Sequence, residues 1–127
     1  MHAADNADLH SHHAELIAEA LATEGGHLSI GRGGFILWYG DGCRLQGYDS
    51  APIKAACIEA GLPVIDSRGV AFDAVARLAI RGPMVAVGAP PHGPFSYVPL
   101  AEVAAAYRAA GAEVVNVPET AADDPGA

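Results

Sequence analysis

Residues 8–13 read DLHSHH, one aspartate and three histidines within six positions. Imidazoles and carboxylates ligate zinc and carry protons near neutral pH, so the stretch raises a metal site, a catalytic motif or a polar helix start. The backbone that carries them decides. Leu9, Leu16, Ile17 and Leu21 recur at helical spacing, Asp8 stands where an N-cap belongs, and Gly25-Gly26 ends the run. At about 100° per residue, His10 and His13 share a face and His12 points elsewhere. Two imidazoles fall short of the three or four ligands of a zinc site, and His2, Asp5 or another chain would have to supply the rest. The expectation is a solvated helix start, with no metal and no cofactor.

A second constellation lies further on. VIDSRG ends an apolar run with Asp66, Ser67, Arg68 and Gly69, just where the next helix is predicted to begin. A helix N-terminus offers free N–H groups and partial positive charge, and Arg68 adds a fork of donors, which suits a small anion or carboxylate. VGAPPHGPFSY ends the next apolar run and supplies Gly88, Pro90-Pro91, His92, Gly93, Ser96 and Tyr97. Prolines hold the histidine at low entropic cost. If the two strands are neighbours, His92 is a general base with Asp66 as its orienting carboxylate. Ser67, Arg68, Gly69, Gly88, Gly93 and Ser96 are then the ligand-binding set. The plainer alternative makes Asp66 and Ser67 ordinary helix caps and the His92 loop a rigid connection.

Asp8, His10 and His12 resemble the strand-end motif of metal-dependent phosphoesterases of the polymerase-and-histidinol-phosphatase type, and more loosely that of amidohydrolases. The resemblance implies a large barrel with further ligands from distant strands. Downstream only His27 and His92 remain, no apolar strand precedes the motif, and 127 residues cannot close such a barrel. The helix–three strands–helix–strand order is similar to the core of restriction-endonuclease-like nucleases. Their acidic residue and (D/E)xK have no counterpart in the predicted third strand, CRLQGY. GRGGF at 31–35 lacks the lysine and following helix of a phosphate loop, GxGxxG and GxSxG are absent, and Cys43 and Cys57 form no CxxC.

The elements that must position these residues are readable from periodicity and turn chemistry. After the first helix, HLSIGRGGFILWYGDGCRLQGY gives an antiparallel three-strand meander, with turns at Arg32-Gly33 and Asp41-Gly42. The second turn sets Tyr39 opposite Arg44 and Trp38 opposite Leu45, with Ile36, Trp38, Cys43 and Leu45 on one face. DSAPIKAACIEAGLP is a helix with Pro52 in its first turn and Gly61 past its end. Strand LPVID, helix GVAFDAVARLAIRG (Phe72, Val75, Ala76 and Ala79 on one face), strand MVAVG, helix PLAEVAAAYRAAG and strand EVVNV follow. The fold class is α/β: one mixed sheet, an N-terminal helix plus the meander, then βαβαβ with parallel strands and helices on both faces. Residues 1–7 form a flexible N-terminus, 8–117 a single domain and 118–127 a disordered acidic tail.

Seven basic residues stand against fifteen acidic ones, a net charge of −8, and the basic residues form no run. That excludes nonspecific nucleic-acid binding. No apolar stretch reaches the roughly 18–20 residues of a membrane span, and the N-terminus lacks a signal-peptide pattern, so the expected compartment is the cytoplasm. The balance of chemistry favours a small noncatalytic binding, regulatory or accessory protein. The alternative is a small enzyme or binding protein for a compact anionic metabolite using Asp66, Arg68 and His92. Phe35, Leu37, Tyr39 and Tyr48 beside Arg44 suggest a meander face that a second copy covers, giving a homodimer.

Overall fold

The computed structural model of the chain describes residues 13–40, 42–70, 78–81, 84–87 and 96–117. A first helix, α1, covers residues 13–21. Strands β1 (His27–Gly31), β2 (Gly34–Gly40) and β3 (Cys43–Gly47) follow, then helix α2 (Ser50–Ala60) and strand β4 (Val64–Asp66). The rest is β5 (Leu78–Arg81), β6 (Met84–Val87), β7 (Ser96–Pro99), helix α3 (Leu100–Ala109) and β8 (Glu113–Val115). Five strands form a mixed sheet in the order β3-β2-β1-β4-β8, and β5-β6-β7 form a separate three-stranded sheet. In the larger sheet only β1 and β4 run parallel.

The mixed α/β character and the meander match the sequence. Gly31 pairs with Gly34 across the first hairpin, as the Arg32-Gly33 turn requires. Pro52 stands inside the first turn of α2, and Gly61 ends it with φ 89°. The second hairpin differs by one residue. Gly40 pairs with Cys43, but the register then shifts, so Trp38 faces Arg44 and Leu37 faces Leu45. A bulge absorbs Tyr39, and this moves Leu45 to the face of Leu37, opposite the face assigned from an uninterrupted ladder. The Arg44 guanidinium accordingly lies over the Trp38 ring, 5.9 Å from its centroid.

The second half departs further. Leu78–Arg81, expected as the end of a helix, is strand β5, antiparallel to β6 with Arg81 opposite Met84. The Gly82-Pro83 pair, read as a helix stop, lies outside the described residues. Ser96, expected in a loop, begins β7 and pairs with Val87. Strand β8 lies antiparallel to β4, with Glu113 opposite Asp66. The expected parallel βαβαβ is therefore replaced by one parallel pair, an antiparallel edge strand and a separate antiparallel sheet. Phe72, Val75 and Ala76 lie outside the described residues, as do 1–7 and 118–127.

The large sheet is buried on both faces. Leu28, Ile30, Phe35, Leu37 and Val64 pack with Leu16, Ile17 and Ala20 of α1 and with Ile53 and Cys57 of α2. Ile36, Trp38 and Ile65 pack on the other side with Val103 and Tyr107 of α3, joined by Val98 of β7. Period-2 alternation explains the division, since residues 28, 30 and 64 point one way and 65 the other. Phe35 and Leu37 thus serve the chain's own core instead of a surface for a second copy; Tyr48 remains exposed. Among the described residues no helix is long and apolar enough to cross a membrane.

Candidate functional site

The carboxyl end of β4 carries the charges singled out in the sequence. Asp66 is buried at the end of the parallel β1–β4 pair, a position where open α/β sheets hold ligands. Its carboxylate is fully engaged. Oδ1 accepts from the Arg68 backbone N–H (3.1 Å) and Nε (2.9 Å), and Oδ2 accepts from Arg68 Nη2 (2.6 Å) and Lys54 Nζ (2.9 Å). Lys54 reaches in from α2 and also bonds Glu113 Oε1 on β8 at 2.7 Å. Burial pushes the Asp66 carboxyl up, but bonds from Arg68 and Lys54 outweigh burial and hold it at about 2. Burial lowers the Lys54 ammonium, and its bonds to Glu113 and Asp66 more than reverse this, so it stays charged. The bond to Asp66 likewise raises Arg68.

The cluster therefore balances two cations against two anions. Arg68's fork grips a carboxylate two residues back through Nε and Nη2, while the side chain stays half exposed. Ser67 is buried and turned inward: its N–H and Oγ both donate to the Ile30 carbonyl, at 2.9 and 3.2 Å. Gly69 is exposed beside a shallow concavity of about 280 Å³ shared with Asp66, Arg68, Gly111 and Glu113. His92, Gly88 and Gly93 lie outside the described residues. The neighbours of β4 are β1 and β8, while β6, the strand before residues 88–93, belongs to the other sheet. Among the described strands β4 and β6 are not neighbours, which is the adjacency the pairing of Asp66 with His92 was built on. Sequence reasoning missed Lys54 and Glu113, whose partners lie 12 and 59 residues away along the chain.

Of the N-terminal histidines only His13 is described; Asp8, His10 and His12 lie outside. Among the described residues no group of three or more His, Cys, Asp or Glu side chains is arranged to hold a metal ion. His27 is the described histidine in the core. Its Nδ1 lies 2.7 Å from the Gly25 carbonyl, which can only accept, so Nδ1 carries the proton and Nε2 keeps its lone pair. Its ring stacks on Trp38 with centroids 6.5 Å apart. Burial drives its pKa down to about 4 against the upward pull of the Gly25 bond.

The concave apolar surface lies elsewhere, between α1 and α2. It has a volume of about 630 Å³. One wall is His13, Ala14, Ile17, Ala18 and Leu21 from α1; the other is Pro52, Ala55, Ala56, Glu59 and Ala60 from α2. On each helix these recur at i, i+3 and i+4, a second stripe beside the one that packs on the sheet. Alanine explains the groove: both helices are anchored by Leu16, Ile17, Ile53 and Cys57 below, and methyl groups above cannot fill the space between them. Leu21 stands at one end, 48% exposed. The sequence held the signal, in Ala14, Ala18, Ala55, Ala56 and Ala60, but alanine's high helix propensity hid it.

Comparison with protein-family models, with curated proteins and with solved structures finds no match.

Proposed function

We propose that this protein is a small noncatalytic binding module that works through the groove between α1 and α2. The observation that carries the reading is the groove itself: about 630 Å³ of concave surface with eight of its ten lining side chains apolar. Binding sites are commonly concave, mostly apolar and marked by a few polar groups, here His13 and Glu59. The charge cluster supports the same side of the choice. A carboxylate that orients a histidine base needs an oxygen free to accept from the imidazole. Asp66 has every oxygen engaged and titrates at about 2. Arg68, half exposed, already gives its Nε–H and an Nη2–H to Asp66, which partly matches its charge before any anion arrives. Asp66, Lys54 and Glu113 instead tie the end of β4 to α2 and β8.

Titration of the full chain with the neutral apolar dye Nile red tests this. The expected result is saturable, blue-shifted emission that Ala56→Leu abolishes by filling the groove, with an unchanged circular-dichroism spectrum. Equal emission from the variant, or none from either protein, would overturn the reading.

A further inference from the structure

We infer that the groove receives an amphipathic helix whose apolar stripe is flanked by lysine or arginine. The inference rests on the groove as the binding surface and adds the chemistry of its partner. Three observations lead to it.

The first is shape. Both walls are helices, and α1 contributes to the groove along residues 13–21, roughly 13 Å at 1.5 Å per residue. A trough walled by two helices can take a third helix, read by apolar anchors at i, i+3 or i+4 and i+7. The volume of about 630 Å³ accommodates several such side chains.

The second is charge. Glu59 lines the groove; Glu15 and Glu19, also exposed on α1, lie off the stripe of residues 13, 14, 17, 18 and 21 that forms its wall. The one cation on either helix is Lys54, bound to Asp66 and Glu113. Upstream of Arg32 the chain contains no lysine or arginine at all. No lysine or arginine is among the lining residues, so the Glu59 carboxylate and the net charge of −8 favour a basic partner and steer its approach.

The third follows from the same charge. A second copy would bring Glu59 and a net charge of −8 to the same place, and an anionic lipid surface would be repelled in the same way. Like-charge opposition disfavours both, and a cationic helix meets neither penalty.

The test uses the full chain and three labelled peptides of about four helical turns. One carries leucines at i, i+3, i+4 and i+7 with lysines elsewhere; one replaces lysine by glutamate; one scrambles the leucine–lysine peptide so that the stripe is lost. Binding is read by fluorescence anisotropy at about 20 mM and about 300 mM salt, conditions that span strong and weak screening. The expected result is binding of the leucine–lysine peptide, weakened about tenfold or more in the glutamate and scrambled peptides. High salt and Glu59→Lys should each weaken it several-fold, and Ala56→Leu should abolish it. Equal, Ala56→Leu-sensitive binding of the lysine and glutamate peptides would overturn the basic partner while leaving the groove as a binding surface. Equal binding of the scrambled peptide would overturn the helix. No binding by any peptide, together with no dye binding, would end both readings. A monodisperse dimer that Ala56→Leu converts to monomer would show a second copy in the groove and overturn the inference.

Discussion

Asp66 and His27 are both buried titratable groups in the large sheet, yet acid acts on them in different windows. In the unfolded chain His27 titrates near 6.5; folded, it stays neutral down to about 4. Below 6.5 the unfolded state therefore binds the extra proton, and stability falls with pH until about 4. At about 1.4 kcal/mol per unit this amounts to roughly 3 kcal/mol. Asp66 is displaced in the same direction, from 3.8 to about 2, so its contribution is intact above 3.8 and is lost as pH falls through about 2, a window below that of His27. Thermal melts should show a falling midpoint between pH 6.5 and 4 that flattens in His27→Phe, compared with each protein's own value at pH 7. An unchanged slope in the variant would contradict a neutral buried imidazole. The two thiols also divide by burial: Cys43 is exposed, while Cys57 is buried with its thiol pushed up to about 12. A disulfide reagent should consume one thiol per native chain rapidly and the second only in denaturant. At this scale the sequence displayed Asp66, Ser67, Arg68 and Gly69 as a cluster. It could not show that Arg68 folds back on Asp66, because Lys54 and Glu113 complete the neutralisation from elements distant in the chain.

Turn chemistry made several elements legible. Pro52 and Gly61 bracket α2, Gly111 follows α3, and two-residue turns set the first hairpin. Legibility failed where one pattern served two structures. Leu78–Arg81 fits the apolar face of a helix and a short strand equally, and tertiary pairing with β6 decides for the strand. The Tyr39 bulge was invisible for a related reason, since a turn sequence fixes the loop but not the ladder beyond it. Gly47 gives this level its test. It stands opposite Phe35, and a Cβ there would meet the ring at 2.6 Å. Gly47→Ala must push the buried Phe35 from its place, at a cost of about 1–3 kcal/mol. Urea denaturation should register that loss, and Phe35→Leu should relieve part of it in the double variant. Additive losses in the two variants would contradict the close approach.

For the whole molecule, charge and apolar surface are arranged separately. Cations and anions near the end of β4 neutralise one another, while the α1–α2 groove joins an apolar lining to uncompensated acid. The net charge of −8 was plain in the sequence, but its distribution depended on which cations found internal partners. The groove was hidden because its alanines look like simple helix formers until two helices lie side by side on one sheet face. The most direct test of the account is a nitrogen–proton NMR titration of the full chain with the leucine–lysine peptide. The account predicts shifts concentrated at the amides of Ala14, Ala18, Leu21, Ala55, Ala56 and Glu59, with residues 66–69 undisturbed. Shifts centred on Asp66, Ser67, Arg68 and Gly69, with the helices silent, would contradict it and return function to the end of β4.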